Sequence, residues 1–276
     1  MDQNWIIENL NNAFGTWNDK LTELWSLVAT SPDNFKGGTV WAVMQNIHGT
    51  LLAVGYGLLI LFFAIGLFKN TANFHELKRP EAAVHYLIRF VAAKTLVTYG
   101  MDIMLSIFEI CNGVVSQVAA SMGGISQAMV TLPAEIETAI INVGFLASIP
   151  LWLVTILGSL FITVLSFVMI LTVYGRFFRL YMYTALAPIP LSSFGAENTQ
   201  ATGIAFIKSY IGVCMEGAVI VLACIIYSGF VSSPSIATGE ATTVVWSYLG
   251  ETIFNMLVLV GLIKGSDRII HEMMGV

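Results

Sequence analysis

The sequence predicts an all-α integral membrane protein, a polytopic bundle of about five transmembrane helices. Hydrophobic residues make up 57% of the 276 residues, and charged residues only 11%. A soluble domain carries about 25% charged residues because its surface must stay hydrated. Several apolar windows also reach the roughly 20 residues that a helix needs to cross the hydrocarbon core. Much of the surface is therefore expected to face lipid.

Residues 1–38 are predicted to form an external amphipathic helix and a linker. Apolar side chains recur at steps of three and four residues, at Ile6, Leu10, Ala13, Trp17, Leu21, Leu24 and Val28. Such a helix either lies on the membrane surface or packs as a cap on the other helices, and the pattern leaves both open. Pro32 to Gly38 ends it. No basic region precedes an apolar core here, so no cleavable signal peptide is expected.

Residues 39–276 are predicted to form one membrane domain. Its spans are expected at about 40–68, 88–119, 150–174, 209–231 and 244–263. The apolar stretch that follows the third span contains Pro188 and Pro190, and proline ends a helix because it lacks the backbone donor. Residues 180–207 are therefore predicted to form a re-entrant segment with a helix break, rather than a sixth crossing.

The basic residues predict the orientation, because Lys and Arg near membrane ends prefer the cytoplasm. Five crossings place most of them in cytoplasmic stretches or at the adjoining helix ends: Lys69, Lys78, Arg79, Arg89, Arg176, Arg179, Lys208, Lys264 and Arg268. Lys94 lies within a span, and only Lys20 and Lys36 lie outside. The N-terminus is thus predicted outside the cell membrane and the C-terminus in the cytoplasm.

The second span carries a stripe of polar residues, here called the polar stripe: Lys94, Thr98, Asp102, Glu109, Asn112 and Ser116. At 100° per residue they occupy an arc of roughly 80°, and they extend over about 33 Å. Ionisable groups in hydrocarbon cost at least about 2.5–3.5 kcal/mol each, so this face should meet water or protein. It either lines an aqueous path or a subunit interface, forms an internal salt-bridge ladder such as Lys94 with Asp102, or lies partly outside the membrane.

Other polar residues of the spans are explained more simply by packing. Glu216, and Glu251 with Asn255, favour interhelical hydrogen bonds over a transport role, and His48 favours a hydrogen bond at the outer end of the first span. Small residues form two ridges, Gly49–Ala53–Gly57 and Thr155–Ser159–Thr163. Such ridges let helices approach closely, within one subunit or between subunits.

The sequence predicts no enzyme and no catalytic, cofactor-binding or metal-binding residues. It contains no GxxxxGK[ST] phosphate loop, no HExxH and no GxSxG. The three cysteines, Cys111, Cys214 and Cys224, lie in apolar stretches without a CxxC spacing, which is typical of buried free thiols. Energy for any movement of a substrate would come from a partner or a gradient.

A basic pair and a proline break follow the third span. The run from Tyr174 to Leu180 places Arg176 and Arg179 after a long apolar helix, and the run from Thr184 to Leu191 reads Thr-Ala-Leu-Ala-Pro-Ile-Pro-Leu. This pattern resembles the TrbL-type inner-membrane family of type IV secretion systems, in the short form carried by Gram-positive conjugative elements. The order of spans extends the resemblance over residues 40–272. One departure is the small external connection, 120–144, which puts substrate contacts by a large loop in doubt.

The resemblance implies a non-enzymatic scaffold and channel subunit of a conjugative machine, in the cell membrane, assisting transfer of DNA and protein. It implies several copies of the chain, other secretion-machine subunits including ATPases as partners, and transient contact with the translocated DNA–protein substrate. A secondary transporter or small ion channel is the alternative, although the sequence shows no internal inverted repeat of the kind many transporters have. A structural anchor for another complex is a third.

Overall fold

The computed structural model describes residues 3–71, 80–120, 128–143, 145–231 and 239–275, and within these ranges the regular structure is helical. The α-helices are α1 (Gln3–Val28), α2 (Thr39–Thr71), α3 (Pro80–Thr98), α4 (Gly100–Ala120), α5 (Ala134–Ile141), α6 (Phe145–Leu186), α7 (Pro188–Leu191), α8 (Gln200–Val231) and α9 (Ala241–Met274). Short 3-10 turns occupy Phe35–Gly38 and Ser192–Gly195.

Five stretches of these helices are long and apolar enough to cross a membrane, which confirms the predicted fold class. They are Phe35–Lys69, Gly100–Ala120, Ser148–Leu186, Gln200–Val231 and Thr242–Met274. Each carries at most two Asp, Glu, Lys or Arg residues in its most apolar window of 18 residues. The chain is a multi-pass membrane protein.

The helix bounds differ from the predicted span bounds, because hydropathy marks where a helix leaves lipid rather than where it ends. α6 continues past the predicted limit at 174 to Leu186, α8 begins before 209, and α9 continues past 263. The predicted second span is divided at Tyr99 into α3 and α4. The hydrogen bonds Tyr99 N–H to Thr95 O (2.9 Å) and Ile103 N–H to Tyr99 O (3.0 Å) continue through the division.

The chain forms two compact units. The first contains Met1–Ala29, Val114–Gly175 and Gly217–Ser266, and the second contains Thr30–Gly113, Arg176–Glu216 and Asp267–Val276. The predicted apolar face of α1 is buried in the first unit, since Leu10, Trp17 and Leu21 have no exposed surface. Trp5 lies 5.8 Å from Trp152 between ring centroids. Of the two alternatives for the N-terminal helix, the structure therefore shows the packed one.

Asparagine side chains attach α1 to the rest of the first unit. Asn9 donates from Nδ2 to Ser159 Oγ (2.9 Å) on the small-residue ridge of α6. Asn18 donates to Val130 O (2.8 Å) and accepts from the Val130 amide (2.9 Å). Nearby, Lys20 donates to Glu23 at 2.6 Å, and this hydrogen bond raises the pKa of Lys20 above its usual value. The Thr155–Ser159–Thr163 ridge thus packs within the subunit.

In the second unit, the start of α2 packs against the end of α6. Phe35 stacks on Phe177 with ring centroids 3.9 Å apart, and Trp41 lies 6.2 Å from Tyr181. The other ridge of small residues, Gly49–Ala53–Gly57, is exposed. A Cβ built at Gly49 or Gly57 would meet nothing within 4 Å among the described residues, so the described part of the subunit does not cover this ridge.

Candidate functional site

The polar stripe lies on the exposed side of α3 and α4. Lys94, Thr98, Asp102, Glu109 and Ser116 are exposed, and Asn112 is half-buried. The packing seam lies on an adjacent side, about 100° from the stripe around the helix: Ala93, Val97, Met104, Phe108, Cys111 and Val115 are each at most 6% exposed. The two helices therefore present the charges of the stripe on the outside of the protomer, beside exposed apolar side chains such as Ile110.

Few protomer contacts cover the stripe. Thr98 donates from Oγ1 to Lys94 O (2.7 Å) within α3 and shares a hydrogen bond of 2.9 Å with the hydroxyl of Tyr56 on α2. The ion pairs of the described residues do not include one between Lys94 and Asp102, nor one made by Glu109. The charges of the stripe are thus presented to whatever surrounds the protomer.

The helix break lies where the proline pair occurs. α6 ends at Leu186, and Pro188 begins the single turn of α7. Because Pro188 has no amide hydrogen, the carbonyl of Thr184 four residues earlier loses its usual helical donor. His48 of α2 supplies the replacement, donating from Nδ1 to Thr184 O at 2.9 Å. The expectation that His48 makes a hydrogen bond is confirmed, and its partner is the carbonyl that the proline leaves open.

Serine hydroxyls complete the break. Ser192 donates to Ile189 O (2.6 Å) and Ser193 to Pro190 O (2.7 Å), so both side chains bond to the turn that precedes them. Thr199 in turn donates to Ser193 O at 2.6 Å. These bonds satisfy carbonyls in a segment that is too irregular to satisfy them by helix geometry alone.

Close backbone approaches hold the break against α2. A Cβ built at Gly55 would lie 2.8 Å from Pro188 O, and one at Gly195 would lie 3.1 Å from Leu59 O. Any side chain larger than hydrogen at Gly55 would therefore push the two segments apart. The break and α2 form one packed element of the second unit.

A second set of charged residues surrounds two buried ones, Arg176 and Glu216, in the same unit, and we call it the buried charge cluster: Arg176, Arg179, Glu216 and Asp267. Arg176 has no exposed surface. It donates from Nε to Val213 O (3.2 Å) and from Nη2 to Cys214 O (3.0 Å) on α8. Its guanidinium also lies 5.7 Å from the ring centroid of Phe108 on α4.

The remaining members of the cluster pair with one another. Arg179 donates from Nη2 to Glu216 (2.7 Å), and its Nη1 lies 2.5 Å from Asp267. His271 lies 3.3 Å from the same Asp267 oxygen. Glu216 is only 1% exposed, and its bond to Arg179 confirms the expected interhelical hydrogen bond. The cluster connects the parts of α6, α8 and α9 that belong to the second unit.

Sequence reasoning singled out three members of this cluster, but neither Asp267 nor the cluster itself. Arg176 and Arg179 stood out as a basic pair after an apolar helix, and Glu216 as an acid within a span. Their pairing was not visible because Arg179 and Glu216 are separated by 37 residues. Among the described residues, no group of His, Cys, Asp and Glu side chains is placed to hold a metal ion.

Comparison with known proteins gives one finding. Residues 17–188 match the family model described as TrbL/VirB6 plasmid conjugal transfer like protein, which is more than half of the chain. The match starts earlier than the resemblance over residues 40–272 and stops at the first proline of the break. It contains the whole polar stripe and its packing seam, and also Arg176 and Arg179. No curated protein and no solved structure matches the chain.

Proposed function

We propose, from the premise that this chain belongs to the TrbL/VirB6 plasmid conjugal transfer-like family, that it is a scaffold and channel subunit of a conjugative type IV secretion machine. Family membership makes it a membrane component of conjugal transfer. In this role, several copies of the chain assemble, and the polar stripe lies where copies meet or where water enters between them.

The observation that supports this proposal is the outward-facing charge of the polar stripe. Asp102 and Glu109 are exposed on the protomer, yet they belong to a helix that is long and apolar enough to cross a membrane. Facing lipid, each would cost at least about 2.5–3.5 kcal/mol. Another protein surface or an aqueous path removes that cost, and a homo-oligomer supplies either one.

Cysteine accessibility tests the proposal. In a background with Cys111, Cys214 and Cys224 replaced, single cysteines at Asp102 and Glu109 should react with small water-soluble thiol reagents or cross-link between subunits. Ile110 is the matched control, because it neighbours Glu109 and is 72% exposed on the protomer but apolar. A cysteine there should do neither, since a lipid-facing thiol is not ionised and not reached by such reagents.

The result at the stripe decides between the interpretations. Equal behaviour of positions 109 and 110 would contradict a stripe at an interface or path. A salt-bridge ladder instead requires that Asp102→Leu is harmful alone and that additional loss of Lys94 restores transfer.

We also propose the partners that a conjugative machine requires. The chain has no nucleotide-binding motif, so we assign the energy for transfer to partner ATPases of the machine, with the translocated DNA–protein substrate contacting the oligomer transiently. The experiment is co-purification of the full chain, in detergent, with the ATPases encoded beside it. A chain that purifies without them and moves a small solute by itself in liposomes would point to a transporter or ion channel.

The orientation and the break remain proposals of the same kind. We place the N-terminus outside and the C-terminus in the cytoplasm, so that a cysteine at Asn12 reacts with an impermeant reagent in intact cells and one at Arg268 does not.

We further propose that the break keeps residues 180–207 from crossing the membrane. Replacing Pro188 and Pro190 with alanine should lengthen α6 and disturb assembly, whereas normal assembly and transfer would show that the break is dispensable.

A further inference from the structure

A cavity of about 190 Å³ opens in the second unit where α2, α3 and the turn before α8 meet. Lys69 and Arg89 supply its positive charge, Tyr86 a phenol, and Phe63 with Leu67 an apolar wall. We propose that this cavity, the Lys69–Arg89 pocket, binds the phosphate headgroup of an anionic phospholipid.

The position of the pocket favours a lipid over other anions. It lies at the end of the apolar run of α2, where the helix passes from Phe68 to Lys69. Phe68 is 78% exposed, and Leu87 and Ile88 on α3 are also largely exposed. Exposed apolar side chains therefore flank a basic cavity at the level where a membrane helix meets the headgroups. Basic pockets between helices at this level are typical binding sites for acidic lipid headgroups.

The guanidinium of Arg89 is oriented for a phosphate. Gln200 accepts from Nη2 of Arg89 at 2.8 Å, which fixes the plane of the guanidinium. Glu197 is the acidic group of the pocket and lies 3.5 Å from Nη1 of Arg89, with its side chain 73% exposed. A pair this exposed is worth little, so a phosphate oxygen can replace that carboxylate in the guanidinium fork. The first turn of α8 follows at Gln200, and its positive helix end adds to the same field.

Retention of dioleoyl phosphatidylglycerol by the full chain, measured by native mass spectrometry from detergent, tests the pocket. The unchanged chain should bind it more tightly than dioleoyl phosphatidylcholine, which has the same acyl chains without net charge. Lys69→Gln with Arg89→Gln should weaken that binding by about thirtyfold, or about fivefold for each basic group. Lys208→Gln is the matched control, since it removes an exposed positive charge of the same unit outside the pocket and should change nothing.

Four other results would overturn the proposal. Equal binding by the double variant, or equal retention of the two lipids, would show no anionic-headgroup site here. Complete displacement of phosphatidylglycerol by inorganic phosphate would indicate a site for free anions, and displacement by a single-stranded oligonucleotide would indicate a nucleic-acid contact.

A measurement on the unchanged chain tests the pocket even if the double variant fails to fold. A photoactivatable phosphatidylglycerol analogue, cross-linked in membranes, should label peptides containing residues 63–69 or 86–89. Labelling confined to other helices would contradict the pocket whatever the variants show.

Discussion

The polar stripe and the buried charge cluster place charged residues in membrane helices in two opposite ways. In the cluster, Arg176 and Glu216 are almost fully buried and bonded to neighbouring helices of the same chain. In the stripe, Asp102 and Glu109 are exposed, and the described ion pairs do not include them. The cluster is complete within one protomer, whereas the stripe acquires its surroundings from outside it.

This difference predicts which substitutions change the stability of the protomer and which change its assembly. Removing one partner of a buried pair leaves an uncompensated charge inside protein, which is strongly destabilising. Removing a charge from an exposed face leaves nothing unpaired within the protomer. Substitutions in the cluster should therefore change the stability of the protomer, and substitutions in the stripe should change what the protomer assembles with.

The largest effect is expected for Glu216→Leu. The change removes the buried carboxylate bonded to Arg179 at 2.7 Å, which also interacts electrostatically with Arg176. Loss of one partner of a buried pair costs about 3–5 kcal/mol. Thermal unfolding of the purified chain in detergent measures it, and a midpoint within error of the unchanged chain would refute a structural role for the cluster.

A smaller loss is expected for Arg176→Met. Methionine keeps the unbranched stem but removes the donors to Val213 O and Cys214 O, and hydrogen bonds by a charged group are worth about 1.5–3 kcal/mol. The two carbonyls belong to α8, where helical bonds remain available to them. The unfolding midpoint of this variant should lie between those of Glu216→Leu and the unchanged chain. A larger loss of stability than for Glu216→Leu would show that Arg176, and not the buried carboxylate, contributes most to the stability of the cluster.

Asp267→Asn should have a weaker effect again. Asp267 contacts Arg179 and His271, but its side chain is 43% exposed, and such pairs contribute about 0.2–1 kcal/mol. High salt should reduce the difference between variant and unchanged chain, because exposed pairs are screened. A loss as large as that of Glu216→Leu, insensitive to salt, would place Asp267 in the buried core of the cluster.

The smallest effect on the protomer is expected for Asp102→Leu with Glu109→Leu. Neither carboxylate has an ion pair among the described residues, so the unfolding midpoint in detergent should stay within about 0.5 kcal/mol of that of the unchanged chain. Transfer and recovery of the oligomer should fall nonetheless. Ser106→Leu is the control, since it adds the same side chain to an exposed position of α4 without removing charge. Unimpaired transfer by the double variant would remove the stripe from the proposed function.

The periodicity of the sequence predicted the features that belong to a single helix, namely its buried side, its polar side and its apolar length. The apolar steps of α1 named the residues that are buried, and the polar stripe was predicted to lie on one face because a helix places residues at fixed angles. The five apolar windows correspond to the five helices that can cross a membrane. In each case the information lies within one stretch of sequence.

Where two helices meet, the sequence predicted some hydrogen bonds but not the partners that make them. Arg176 looked like the end of a span, yet it lies inside α6 and donates hydrogen bonds to carbonyls of α8. The sequence around Arg176 does not show this, because those carbonyls are distant in sequence. His48 was expected to make a hydrogen bond, but its role in replacing the helical donor that Pro188 lacks was not predicted. Whether a small-residue ridge packs within the subunit depends likewise on a partner. α1 covers Ser159, whereas a Cβ built at Gly49 would meet no described residue of another helix within 4 Å.

The packing of α1 has a consequence for the synthesis of the chain. Its buried side joins α6 through Asn9 and Ser159, which are 150 residues apart. At about 5–20 residues per second, the ribosome needs roughly 8–30 s to add that many residues. During this interval the apolar side of α1, with Trp17 and Leu21, has no folded partner. Biogenesis therefore includes a period in which lipid, an insertase or a chaperone must shield the apolar side of α1.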